Sequence, residues 1–438
     1  MMDLTEELPQ ELVEKIISFL NVKDIGRFSK VSVSWREAAN KDSIWLHECM
    51  IKGWLRYGVN NEIIKACSLP QKDTNVSLTS PIFKLFIPED TRLSPLCKWK
   101  DIFLRVQHLS KNWAKGRYTV GPILRGHKQK VSAIACNGTS IVSGSDDKLF
   151  IVWDLATCTE VKTLHMHSDS INALVLRGNT AITGCSDSAI RVIDIVSGQV
   201  IFTLMGHAGS VEHLGIVGNS YLISAATDKT VRVWSLPDRQ LKCVFKDHTD
   251  EIECLCCHGN YVLTGSWDKT MFMWDIIKEK QLHKFEGHEE VVSCCQFDDK
   301  ITVSGSADCT LRIWSTETGE CSHTLEGHSG EVYCLVYNKE LIASGSQDST
   351  IRLWSHSGKC LHVLTGHLGV VRCLHINGQR LVSGGDQKKI AIWDYRTGKL
   401  LNMVHRNPTR LHLMWVSETK LVTASPEQPG TITVMSYW

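Results

Sequence analysis

Histidine, serine or threonine, and aspartate recur together along this chain, the three side-chain types of a hydrolytic relay. The histidines are His127, His167, His207, His248, His288, His328 and His367, at steps of 40, 40, 41, 40, 40 and 39 residues. Between them lie the pairs Ser143/Asp147, Thr183/Asp187, Ser224/Asp228, Thr264/Asp268, Ser304/Asp308 and Ser344/Asp348. Hydrolysis needs one exposed nucleophile, an oxyanion hole and a substrate cleft. Evenly spaced copies supply repetition instead, so the residues are read as structural and no catalytic role is expected. A second constellation is Cys254-x-x-Cys257 with Cys294-Cys295 one repeat later. Zinc needs about four ligands converging in a tetrahedron, whereas side chains along a strand alternate between opposite faces. Free cysteine is commonly buried, so these are read as packing groups, with no metal or other cofactor expected.

The elements that would position these residues are short strands. Each histidine precedes a segment rich in valine or isoleucine, then a run such as IVSGSDD or YVLTGSWD, then a run ending in tryptophan. The tryptophans are Trp153, Trp234, Trp274, Trp314, Trp354 and Trp393, with Ile193 in that place in the second unit. Such runs, parted by Gly, Ser and Asp turns, divide a 40-residue period into four strands. The order GH, SGSxD, WD resembles the WD40 repeat over most of the region 118–438. The resemblance implies a β-propeller in which Asp, His, Ser/Thr and Trp of each blade form a buried hydrogen-bond chain. Blade seven departs from it, with Gln387 where the Asp belongs, and a weaker turn is expected there. After Trp393 the runs 410–416, 420–424 and 431–435 still read as strands, and His405 stands 38 residues after His367. Residues 118–125 are placed as the outer strand of this last blade, closing the ring so that no sheet edge is left open. Eight blades are expected; a ring of seven with residues 405–438 as an appendage is the alternative.

The first fifty residues change to a helical period. Leu8-Pro9 precedes Leu12, Ile16, Ile17, Phe19 and Leu20; Ile25, Phe28, Val31 and Trp35 continue at steps of three and four, and Ile44-Trp45 ends the unit. The order LPQELVEKIISFL, VKDIGRFSKVSVSWREAA, IW resembles an F-box, with Ser32 where that family often has cysteine. The fold expected is therefore mainly β, a WD40 propeller over 118–438 preceded by a small all-α F-box domain over 1–50. Residues 51–117 form the linker: 71–94, rich in Ser, Thr, Pro and Asp, reads as loop, and 96–109 reads as helix. The F-box resemblance implies docking on a Skp-family adaptor of a cullin–RING complex, with Leu8, Pro9, Leu12, Ile16, Val31 and Trp35 as contacts or their immediate support. For Ile16, Phe28 and Trp35 the rival reading is that the unit's own core needs them.

Lys and Arg total 48 against 47 Asp and Glu, so nothing global points to nucleic acid. The start, Met1 to Glu7, is acidic and lacks the features of a signal peptide, and no apolar run is long enough to span a bilayer. The 17 cysteines are accordingly read as reduced, in a cytoplasmic or nuclear protein. F-box followed by WD40 repeats is similar to substrate receptors of SCF-type ubiquitin ligases, and a protein substrate is the expected partner of the propeller. A WD40 scaffold without a ubiquitination role is the alternative. In the family the exposed positions are the third and fifth residues after each histidine and the residue before the turn Asp. Here they include Glu212, Glu251, Glu253, Trp267, Glu331, Tyr333 and Arg372, with Arg372 and Lys130 the only cations against six carboxylates. A doubly charged phosphate would be repelled there, so a basic or neutral degron is expected, anchored on Trp267 and Tyr333.

Overall fold

The computed structural model describes residues 8–52, 54–58, 97–386, 389–404, 411, 413–424 and 429–438. It divides into two compact units, Met1–Asn112 and Trp113–Trp438. The segment 71–94, read above as loop, and His405 and Gln387 lie outside the described residues.

The first unit is helical: α1 (Gln10–Ser18), α2 (Val22–Phe28), α3 (Val33–Ala39), α4 (Asp42–Ile51), a 3-10 turn (Leu55–Gly58), and the opening turns of α5 (Lys98–Lys115). Local chemistry sets these ends. Pro9 immediately precedes α1, where a missing N–H costs nothing, and its carbonyl takes the Leu12 and Val13 amides. Asn21 caps α2 by accepting from the Asp24 amide, and Ser32 caps α3 by accepting from the Trp35 amide at 3.3 Å. Serine at position 32 therefore has a job in this chain. Val13 and Ile17 turn inward from α1 onto Ile25, Trp35, Ile44, Trp45, Cys49 and Phe103. The Trp45 indole N–H reaches the Ala39 carbonyl at 2.6 Å, so this buried ring keeps its polar edge satisfied.

The second unit is a ring of eight antiparallel sheets. Blade 1 uses Val131–Cys136, Ser140–Ser145, Leu149–Asp154 and Thr159–His165, and six more four-stranded blades follow in sequence to Lys399–Val404. Blade 8 takes its three inner strands from Leu413–Val416, Lys420–Ala424 and Thr431–Ser436. Its outer edge is Thr119–Val120 and Leu124–Arg125, with Val120 opposite Met435 and Leu124 opposite Ile432. Pro122 falls in the break between these two short strands, a place where the missing amide removes no ladder bond. The inner strand of blade 8 lies beside those of blades 1 and 7, so the ring is closed. Its seam is apolar: Leu124, Val131, Ile151 and Trp153 pack with Val422, Ile432 and Val434. Trp113, at the end of α5, stacks on Tyr437 with ring centroids 3.6 Å apart and donates to the Glu418 carbonyl at 2.9 Å.

Neighbouring blades approach closely because the second strand carries glycine at the crossing point. A Cβ on Gly305 would stand 2.8 Å from both the Cys294 sulfur and a Val332 methyl of the next inner strand.

The repeated polar residues form the expected buried chains. In blade 5, His288 Nε2 meets Ser304 Oγ at 2.8 Å, Trp314 Nε1 donates to the same oxygen at 2.9 Å, and His288 Nδ1 lies 2.7 Å from Asp308. Asp308 also accepts from the amides of Glu289 and Thr310, which ties the loop before the inner strand to the turn after the second. Blades 1, 3, 4 and 6 repeat this arrangement. In blade 2 Ile193 replaces the indole, and Arg191 leans onto both His167 and Asp187. In blade 7 His367 Nε2 still meets Ser383, but its Nδ1 has no partner among the described residues. The serine and threonine of every chain are fully buried, so none offers an exposed nucleophile.

Candidate protein-interaction sites

With its core filled from Val13 and Ile17, α1 presents the opposite apolar residues to solvent. Leu12 and Ile16 are exposed, Phe19 is 80% exposed, and beyond α2 Val31 and Val33 are 68% and 64% exposed. A fifty-residue unit does not leave such residues outside for its own stability, since burying each would contribute about 1.5–3 kcal/mol. Of the six residues singled out for adaptor contact, Pro9, Leu12, Ile16 and Val31 are exposed and Leu8 is half-buried. Trp35 is buried against Phe28, ring centroids 5.0 Å apart, and holds α3 in place instead of presenting a surface. Val33 was not singled out, and Phe19 was read only as part of the stripe. The signal for Phe19 was its spacing of seven and three residues from Leu12 and Ile16, one helical stripe.

The other candidate surface lies at one end of the blades. There the residue before each turn Asp bonds through its amide to the loop ahead of the inner strand. Examples are Trp267 to the Glu251 carbonyl at 2.9 Å and Gln347 to the Glu331 carbonyl at 2.8 Å. The seven residues expected on this face fall into two groups.

Over blades 2 to 4, Asn172 donates to Glu212 at 2.8 Å, and Trp267 donates its indole N–H to Glu253 at 2.8 Å. Trp267 is half exposed, so the bond fixes the ring while leaving one face open. The half-buried His213 imidazole sits within the field of Glu253 and Glu212; desolvation lowers its pKa, and the two carboxylates work against that. His213 was not singled out. Its place is where other inner strands carry Ala133, Ala173 or Cys254, a local exception visible only after alignment of the units.

Over blades 6 and 7, Arg372 lies 5.1 Å above the Tyr333 ring and bonds Asp386 through Nε at 3.0 Å and a terminal nitrogen at 3.4 Å. Burial, then a hydrogen bond to Glu331, pushes the Tyr333 pKa up, so its hydroxyl stays protonated. Lys130, the other cation of the set, pairs with Asp146 at 3.4 Å. Both cations are thus neutralised within their own blades. Among the described residues, Glu212, Glu251, Glu253 and Glu331 are the carboxylates of this set left without a cation.

Comparison with known proteins places the chain. A model of the F-box domain matches residues 6–47, and a model of the WD domain, G-beta repeat, matches 119–154, 198–235, 239–275, 279–315, 319–355 and 358–394, the WD units alone just over half the chain. The chain is a WD40-repeat protein with an F-box. The matched units omit residues 155–197, which hold the first three strands of blade 2, where the tryptophan is missing, and they omit the three inner strands of blade 8. Among curated relatives, "Probable E3 ubiquitin ligase complex SCF subunit sconB" of Arthroderma benhamiae is 27% identical over 165 residues, 37% of this chain and 25% of that protein. "F-box/WD repeat-containing protein 7" of Drosophila melanogaster is 29% identical over 164 residues, 37% of this chain and 11% of that protein. This WD40 protein therefore aligns with a quarter or less of those relatives' length. Among solved structures, the computationally designed protein Ika8 superposes with a TM-score of 0.68 and 28% identity, covering 72% of this chain and 98% of that one.

Proposed function

We propose that this F-box/WD40 protein is the non-catalytic substrate receptor of an SCF-type E3 ubiquitin ligase, acting in the cytoplasm or nucleus. The observation that carries the reading is the apolar surface of the F-box unit. With Val13, Ile17, Ile25, Trp35 and Trp45 closing its core, Leu12, Ile16, Phe19 and Val31 remain outside. Such a surface suits a Skp-family adaptor, with Leu8 and Pro9 at its border and Trp35 as support from beneath. The relatives named as SCF subunits support the same assignment.

The propeller's part is to hold a protein substrate on the face of Glu212, Glu251, Glu253, Trp267, Glu331, Tyr333 and Arg372. A phosphate needs free guanidinium forks, and the one arginine here is already committed to Asp386 and Tyr333. A basic or neutral degron fits better, with Trp267 as its aromatic wall.

Reconstitution tests both parts. The chain should co-purify with a Skp-type adaptor, and Leu12→Asp/Ile16→Asp should abolish this without lowering the melting temperature of the propeller. Ubiquitination of captured substrate by the assembled ligase supports the receptor role. Adaptor binding with no protein ubiquitinated, or accumulating in a knockout, would leave a scaffold and end the proposal.

A further inference from the structure

The inner strands carry a second pattern, made of sulfur. The residue opposite the second-strand glycine is Cys254 in blade 4, then Cys294, Cys334 and Cys373 in blades 5 to 7. Each sulfur lies near a carbonyl of the following inner strand, 3.7 Å from Val292 for Cys254 and 3.6 Å from Val371 for Cys334. Such contacts are weak packing interactions. Cys254 differs because it also meets a second sulfur. The residue facing the buried serine or threonine of the next strand is leucine in blades 2, 3, 4, 6 and 7, but Cys295 in blade 5. Its sulfur lies 3.3 Å from that of Cys254 across the seam between blades 4 and 5, and both are free thiols.

We propose that Cys254 and Cys295 form a dithiol site that takes a trivalent arsenical. The separation chooses among soft centres. With sulfur bonds of about 2.3 Å, the length thiolates make to zinc, a tetrahedral centre holds its sulfurs about 3.8 Å apart and a linear one about 4.6 Å. A pyramidal centre with angles near 90° needs about 3.3 Å at the same bond length. Zinc would also require further ligands, and among the described residues no third His, Cys, Asp or Glu donor completes a cluster with these two sulfurs within 4.8 Å. A monosubstituted arsenical needs only two. The reaction balances without an oxidant: the two S–H protons leave with the arsenical oxygen as one water, two As–S bonds replace the As–O bonding, and arsenic stays trivalent. Neutral thiols suffice, which matters because the hydrogen bond with Cys254 and then burial hold the Cys295 thiol well above its ordinary pKa. The ring so formed would tie the inner strands of blades 4 and 5.

The test is phenylarsine oxide on the full chain, followed by excess 2-mercaptoethanol to strip arsenic held by a single thiol, then native mass spectrometry. Wild type should retain one phenylarsenic group per chain. Retention should fall to background in Cys254→Ser and Cys295→Leu and persist in Cys257→Ala, whose thiol belongs to the seam with blade 3. Leucine at 295 is the residue of five sister blades, so that variant keeps the fold, which near-ultraviolet circular dichroism verifies. No retained adduct in wild type, or an adduct that survives Cys295→Leu, overturns the proposal.

Discussion

At the scale of single residues, a buried oxygen shared by two donors is worth more than its size suggests. Ser304 Oγ serves both the His288 imidazole and the Trp314 indole, so Ser304→Ala strands two polar groups at about 1–3 kcal/mol each. We expect a loss of about 2–6 kcal/mol in urea unfolding. Thr183→Val in blade 2, where Ile193 stands in place of the indole, strands His167 and gives up a longer bond to the Arg191 carbonyl, and should cost about 1–3 kcal/mol. Equal losses would show that the indole bond contributes nothing. The same chains set the acid response. Burial and then the Arg191 charge lower the His167 pKa to about 4, and burial and then Lys389 lower His367 to about 4. Unfolded histidine takes a proton near pH 6.5 while these two do not, so stability is full above about pH 6.5 and falls as pH drops towards 4. For Asp348, burial acts to raise the pKa, but hydrogen bonds from Thr350 and His328 outweigh it and leave about 2. Its contribution is present above about pH 4 and is lost as pH falls towards 2. The urea midpoint should therefore decline in two stages. A midpoint flat from pH 7 to 4 would contradict the neutral histidines. These roles were legible because seven copies place the same residue types at the same offsets. What was not legible is the state of Arg372: the sequence shows a lone arginine, and only the fold shows that Asp386 and Tyr333 already hold it.

At the scale of elements, closure of the ring rests on the least regular blade. Blade 8 lacks the full His–Ser–Asp–Trp signature, yet its strands were readable because alternation of apolar residues survives without it. Its outer edge is two pairs of residues from 119–125, and Trp113 covers its end through the Tyr437 stack and the Glu418 carbonyl. Trp113→Ala removes a fully buried ring, at a cost of about 3–5 kcal/mol. Because the loss is local, amide exchange should accelerate first in 413–436 and last in the inner strands of blades 3 to 5. Uniform acceleration would mean that the ring opens all at once. The helical unit was harder to read for a physical reason. Leu12-Val13 and Ile16-Ile17 are adjacent apolar pairs, so periodicity alone leaves two neighbouring stripes of similar strength on α1. Packing of Val13 and Ile17 against Trp35 and Trp45 decides which is inside. It leaves Leu12 and Ile16 on the surface and removes Trp35 from it.

At the scale of the whole molecule, formal charge is near zero while the candidate substrate face is locally acidic, so the field there is set by arrangement and not by composition. Glu251 and Glu253 are exposed, and the two cations of the face are cancelled by Asp146 and Asp386. On the proposed reading, a basic peptide would be drawn in by carboxylates that water and salt can reach. The screening length is about 30 Å at 0.01 M ionic strength and about 10 Å at 0.1 M. Steered association of this kind gains about 10-fold or more in rate at low salt. For an arginine-rich peptide, the association rate measured by stopped flow should fall by about that factor across this range, while dissociation changes little. Glu251→Gln/Glu253→Gln should flatten the salt dependence. Trp267→Ala should leave that slope intact and speed dissociation, because the indole acts after contact through a desolvated stack and not at a distance. A phosphorylated peptide should show the opposite trend, associating faster as salt rises. Were the phosphopeptide instead to bind more tightly at low salt, Arg372 would have to leave Asp386 for it, and the acidic reading of this face would fail.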